Sequence, residues 1–223
     1  MTTHHKLSDF DAVIFDMDGL LVDSERVWHM AEDAFIRSFG HDYTDDVREQ
    51  IVGLRMDEFL TVLKRHYDLA PSVPELSAML EARVLKLIET EVHPQPGARD
   101  MIDAVIAAGL PYGIASSSGQ RVIDATLTSQ GWDDLFAVRC TADDDANGKP
   151  APDVYLRAAR VLGVAPERCL ALEDSPNGAR AAVSAGMTCY AVPDVSHTSP
   201  AAFDGITPHV YRSLHDVIAD LAS

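Results

Sequence analysis

The run Val13-Ile14-Phe15-Asp16-Met17-Asp18-Gly19 constrains this chain most, because an apolar strand stops there at two carboxylates two residues apart. Residues i and i+2 of a strand face the same side, so Asp16 and Asp18 are expected to crowd each other. Like charges that close disfavour ionisation unless a cation or a lysine compensates. The pattern therefore predicts a metal site where a buried strand ends.

Three further fragments each adjoin an apolar run. Ile114-Ala115-Ser116-Ser117-Ser118-Gly119 offers hydroxyls and free N–H groups at the start of a predicted helix, which suits a phosphate. Gly148-Lys149-Pro150 holds a cation between two chain breakers, and Leu170-Ala171-Leu172-Glu173-Asp174-Ser175 repeats the motif of an acidic pair after an apolar strand.

Between the first fragment and the second the pattern is helical. Trp28, Ala31, Phe35 and Phe39 recur at helix spacing before Gly40. Val47 and Ile51 predict a second helix, Phe59, Val62 and Leu63 a third, and Leu76 to Ile88 a fourth. Paired prolines and a glycine in Val92-His93-Pro94-Gln95-Pro96-Gly97 then read as a linker. Beyond it, helices expected at 98–108, 121–130, 152–162, 176–185 and 213–221 alternate with strands near 112–115, 137–141, 169–172, 188–192 and 209–211. Such alternation predicts an α/β fold, a doubly wound parallel sheet whose ligands bind beyond the carboxyl ends of its strands. All four chemical fragments fall at such ends.

In that order the fragments resemble the four motifs of the haloacid dehalogenase superfamily of aspartate-nucleophile phosphohydrolases. Phe15 to Glu25 and Leu172 to Gly178 look like its branch of β-phosphoglucomutases and 2-deoxyglucose-6-phosphate phosphatases. The resemblance implies a Rossmann-like core, residues 1–23 and 94–223, with a helical cap inserted at 24–93. It implies Asp16 as nucleophile and Asp18 as general acid and base. Ser116, Ser117 and Lys149 would hold the phosphate. Mg²⁺ would sit on Asp16, the Asp18 carbonyl, Asp174 and Glu173, the last directly or through water. In the cap, Gly53-Leu54-Arg55-Met56 occupies the substrate loop of the resembling enzymes. Arg55, Glu25 and Ser118 are accordingly the expected substrate contacts.

Two departures bear on the reaction. The mutase carries a histidine on its first cap helix where Trp28 stands here, and a lysine in the serine segment where this chain has Gly119. Both favour a phosphatase acting on a small phosphorylated metabolite, a sugar phosphate first, with the mutase as the alternative. A phosphoacceptor signalling domain also combines an aspartate, an acidic pair and a lysine, but needs neither Asp18 nor a helical insertion.

Composition narrows the partners. A net charge of −17 argues against nucleic acid and anionic lipid, and no apolar stretch reaches the roughly 18 residues of a membrane span. Met1 to Ser8 is polar and does not read as a secretory signal. Cys140, Cys169 and Cys189 lack any disulfide spacing and are expected as buried thiols in the cytoplasm, with a monomer sufficient for the reading. Asp143-Asp144-Asp145-Ala146-Asn147-Gly148 begins like a calcium loop but has Val154 at its twelfth position, so it reads as a solvated turn.

Overall fold

Ala12–Phe15 forms β1, four apolar residues all buried, as a strand paired on both edges requires. In the computed structural model, which describes residues 4–48, 50, 51, 54–195 and 198–223, it is the middle of a five-stranded parallel sheet. The other strands are β4 (Tyr112–Ser116), β5 (Arg139–Thr141), β6 (Cys169–Glu173) and β7 (Thr188–Ala191), in the order β5-β4-β1-β6-β7. Because every pairing is parallel, all five carboxyl ends share one edge of the sheet.

Helices α5 (Ala98–Ala107), α6 (Gln120–Ser129), α7 (Asp153–Leu162), α8 (Pro176–Ser184) and α9 (Leu214–Leu221) cover the two faces. Alternation along β1 divides the core accordingly. Val13 and Phe15 join Met101, Ile123 and Val217 on one side, whereas Ala12 and Ile14 join Val154, Tyr155 and Ala182 on the other. Phe15 is fully buried and meets Phe136 and Tyr112 edge to face, so Phe15→Ala should cost ~3–5 kcal/mol.

The helical insertion follows β2 (Val22–Asp23) and comprises α1 (Glu25–Arg37), α2 (Asp45–Arg48), α3 (Met56–His66) and α4 (Val73–Glu91). α1 and α3 both pack on α4, which in turn packs on α6. Where the sequence predicts only a linker, His93–Pro94 forms β3 and pairs antiparallel with β2, Val22 against Pro94 and Asp23 against His93. The two ends of the insertion are thus tied together.

The structure departs from the sequence reading at two other elements. The second helix is a single turn, and Gly53 of the expected substrate loop lies outside the described residues. The strand predicted at 209–211 is reduced to one bridge between Val210 and Ala191, the last residue of β7, whose N–H donates to the His209 carbonyl and whose carbonyl accepts the Tyr211 N–H.

Candidate active site

Asp16 is the first residue beyond β1, and its N–H still donates to the Leu172 carbonyl at 2.9 Å. Its Oδ1 accepts from Lys149 Nζ at 2.7 Å, and the same ammonium donates to Glu173 Oε1 at 2.6 Å. Tyr155, rooted on α7, donates its hydroxyl to that Glu173 oxygen at 2.8 Å, and its ring lies under the ammonium. Glu173 Oε2 accepts from the Asp174 and Ser175 N–H groups, both at 3.1 Å, and from Ser175 Oγ at 3.2 Å. Glu173 is fully buried and both its oxygens are committed, as a buried carboxylate requires.

Two glycines make room for this packing. A Cβ on Gly178 would stand 1.7 Å from Glu173 Oε1, and one on Gly19, whose φ is +78°, would stand 2.2 Å from Asp174 Oδ2. Neither position accepts a side chain without moving a carboxylate.

Ligand oxygens of Asp16, Glu173 and Asp174 lie within 4.8 Å of one another, all buried, with Lys149 the cation that meets two of them. Burial pushes Asp16 up to about 7, opposed by Lys149 and reinforced by the charges of Glu173 and Asp18. Burial and the charges of Asp16 and Glu173 push Asp174 well above the carboxylate range. Burial works against the Lys149 charge, but Asp16 and Glu173 outweigh it and hold the ammonium above its ordinary value. Three carboxylates around one lysine leave excess negative charge among hard oxygen donors, which fits a small divalent cation.

Asp18 is not part of that cluster. The strand ends at Phe15, so the parity expected of residues i and i+2 no longer holds, and the two carboxylates take different partners. Asp18 Oδ1 accepts from Ser24 Oγ at 2.7 Å and from the Trp28 indole at 3.2 Å; Oδ2 accepts from Ser118 Oγ at 2.8 Å and Ser116 Oγ at 3.2 Å. Ser24 stands at the cap position of α1, yet its hydroxyl leaves the helix N–H groups and turns to Asp18. Ser116 Oγ also accepts the Ser118 N–H at 3.0 Å, while Ser117 Oγ is buried with no hydrogen-bond partner. An orphaned hydroxyl before the start of α6 is a ready contact for an anionic oxygen.

Asp18, Ser117 and Ser118 open onto a cavity whose other wall is helical, with Glu25, Trp28 and Glu32 at i, i+3 and i+7 of α1. Arg48 meets Glu25 at 3.0 Å, Tyr43 donates to Glu32 at 2.7 Å, and Ile51, Leu54, Met56 and Phe59 supply apolar lining. Burial pushes Glu25 up to about 8, with Arg48 opposing, and Glu32 up to about 7.

The family of haloacid dehalogenase-like hydrolases matches this chain over residues 10–186. The chain belongs to that family. Hexitol phosphatase B of Escherichia coli K12 is 37% identical over 82% of this chain and 83% of its own length. A probable pseudouridine-5'-phosphatase of Drosophila melanogaster is 35% identical over 81% of this chain and 80% of its own. The crystal structure of CbbY from Rhodobacter sphaeroides in complex with phosphate superposes with a TM-score of 0.85 at 28% identity, covering 96% of this chain and all 100% of the other. Within the haloacid dehalogenase-like hydrolases this chain is a phosphoric monoester hydrolase of the branch that includes phosphatases and β-phosphoglucomutases.

Of the residues expected from the sequence, the structure brings Asp16, Lys149, Glu173 and Asp174 into one buried cluster, with Asp18, Ser116, Ser117 and Ser118 beside it and Glu25 across the cavity. Arg55 goes elsewhere. Its guanidinium pairs with Asp57 at 2.6 Å and donates to the Ala142 and Asp145 carbonyls, tying the start of α3 to the turn before Lys149 while Met56 faces the cavity. Tyr155, Ser24, Glu32 and Arg48 escaped the sequence reading. Ser24 and Glu32 carried a readable signal, since Glu32 stands four residues after Trp28 on the helix that Ser24 opens.

Among the described residues no helix is long and apolar enough to cross a membrane.

Proposed function

We propose that this chain is a Mg²⁺-dependent phosphatase that hydrolyses a small phosphorylated metabolite, a sugar or sugar-alcohol monophosphate, through an aspartyl-phosphate at Asp16, in the reducing cytoplasm. The observation that carries it is the division of labour between the aspartates. Asp16 lies in the buried oxygen cluster on Lys149, and Asp18 lies apart from it with four donors and a face on the cavity.

The Asp16 carboxylate attacks phosphorus as the leaving oxygen takes a proton from Asp18, giving an alcohol and the aspartyl-phosphate. Asp18, now a carboxylate, takes a proton from the water that attacks the intermediate, and orthophosphate leaves. Lys149, Ser116 and the orphaned Ser117 hydroxyl hold the transferring oxygens and stabilise their charge. Asp16 and Asp174 would hold the Mg²⁺, with the Asp18 carbonyl; Glu173, its oxygens already bonded, would act on it through water. When bound, the ion neutralises the phosphate so that a carboxylate can approach it. Residues 24–93 act as a cap domain on the core of 1–23 and 94–223, placing Glu25, Trp28, Glu32 and Arg48 over the substrate.

A sugar-type leaving group is supported by relatives that include Hexitol phosphatase B and a phosphorylated carbohydrates phosphatase of Thermotoga maritima. It also suits a wall of carboxyl groups and one guanidinium, which can accept from and donate to hydroxyls. The test is a panel of phosphorylated metabolites assayed for free phosphate with Mg²⁺. Many turnovers on sugar or sugar-alcohol monophosphates are expected, with none in EDTA, restoration by Mg²⁺ and none by Ca²⁺, whose looser coordination misplaces Asp16. A single stoichiometric phosphorylation would instead make the chain a phosphoacceptor. With β-glucose 1-phosphate and a trace of glucose 1,6-bisphosphate, rapid glucose 6-phosphate formation without free phosphate would make it a mutase.

A further inference from the structure

We propose that Trp28 is a positioning residue that decides which oxygen of Asp18 carries the proton given to the leaving group. The inference rests on the reading of Asp18 as general acid. Four donors surround this carboxyl, and they are not equivalent. Ser24, Ser116 and Ser118 are hydroxyls, which can turn and accept as readily as they donate. The Trp28 indole, 3.2 Å from Oδ1, can only donate. Its ring meets Phe59 edge to face at 6.4 Å, which limits how far it can turn away.

A proton on Oδ1 would have only Ser24 Oγ to accept it, and it would leave the Trp28 N–H on a hydroxyl oxygen, a weaker acceptor than a carbonyl oxygen. A proton on Oδ2 keeps the Trp28 bond on a carbonyl oxygen, and it faces Ser116 and Ser118, whose hydroxyls accept it while the site waits. Those serines flank Ser117, whose orphaned hydroxyl marks where an anionic oxygen fits. The transferable proton is thus held on the oxygen nearer the phosphate contacts. In the first step the bond from Asp16 to phosphorus forms, the ester P–O bond breaks, and the Oδ2 proton moves to the departing oxygen. Oδ1 keeps both its donors throughout. The indole comes from α1, and Ser116 and Ser118 come from the end of β4 and just beyond it, so the acid is oriented from the insertion and from the sheet together.

The test uses leaving groups. Nitrophenolate leaves without a proton, whereas a sugar alkoxide needs one. The value of kcat/KM reports the steps up to the first P–O cleavage. Trp28→Phe keeps the ring on Phe59 and deletes the N–H. We expect kcat/KM for the sugar monophosphate turned over fastest by the wild type to fall ~10- to 100-fold, and that for p-nitrophenyl phosphate, which needs no proton on its leaving group, to fall by a much smaller factor. Equal losses on both substrates, or no loss on either, would overturn the proposal and leave Trp28 as a wall of the cavity.

A second readout does not need this variant to fold. The chain has two tryptophans, so the indole region of a ¹H–¹⁵N spectrum holds two signals, assigned by Trp132→Phe. In Asp18→Ala the Trp28 signal should move upfield as its acceptor disappears; a signal that stays in place sinks the proposal. If Asp18→Ala leaves kcat/KM on the sugar monophosphate unchanged, the general acid itself is misassigned, whatever Trp28 does.

Discussion

The two sides of the site are built on different physical terms. On the sheet side, Asp16, Ser116 and Glu173 stand at or one residue past strand ends, and backbone groups fix them: a ladder hydrogen bond holds Asp16 and two N–H groups hold Glu173. On the insertion side, Glu25, Trp28 and Glu32 project from one helix face and are held by other side chains, Arg48, Phe59 and Tyr43. A site anchored by backbone suits chemistry that must be placed within a fraction of an ångström. A wall of side chains can be rewritten without disturbing the sheet. The contrast teaches where to expect loss of reaction on mutation and where to expect altered fit.

The largest expected effect is on the sheet side. Asp16→Asn should reduce phosphate release by at least ~10⁴-fold, since the amide is isosteric but neither attacks phosphorus nor binds a cation well. An unchanged circular dichroism spectrum would separate this from unfolding, and substantial residual turnover would mean that Asp16 is not the nucleophile. Lys149→Met should cost ~10²-fold in kcat by removing a contact to the transferring oxygens. It should also cost ~3–5 kcal/mol in urea unfolding, because Glu173 then keeps a buried charge without its cation. Loss of turnover at wild-type stability would show that Lys149 serves the reaction alone.

On the insertion side the effects should be smaller and of another kind. Burial holds Glu32 at about 7, against an ordinary 4.5, so the folded protein keeps a proton that the unfolded chain has released. Stability therefore falls as pH rises through that window, and is flat in this respect above it. Glu32→Gln has no such slope, so its urea midpoint should gain on the wild type between pH 4.5 and 7.5; a constant gap between the two would place Glu32 in its ordinary range. Glu25, pushed up to about 8, adds its own slope to both proteins. Smallest of all, Arg55→Gln should change KM by about twofold or less, because the guanidinium ties α3 to the Ala142 and Asp145 carbonyls outside the cavity. A tenfold rise in KM would return Arg55 to the substrate.

Much of the sheet side was readable beforehand, for a physical reason. Short β-branched and aromatic runs such as Val13-Ile14-Phe15, alternating with helical segments, read as buried strands, and the polar residues that follow them then gather at one edge of a parallel sheet. β1 falls at Ala12–Phe15 as expected, and the later helices lie within a residue or two of their predicted ends. The insertion side was less readable. Helical spacing puts Glu32 on the buried face of α1, four residues after Trp28, but does not announce its partner Tyr43, which lies beyond the helix.

The sequence by itself determined the order of elements and the residue types at each strand end, since these follow from local periodicity and chain punctuation. Only the tertiary structure decided who meets whom. It sent Asp18 away from Asp16 to two serines nearly a hundred residues distant, turned Arg55 out of the cavity, and set Tyr155 against Glu173. Such pairings depend on distances of a few ångströms between side chains far apart in the chain, and no local pattern encodes them.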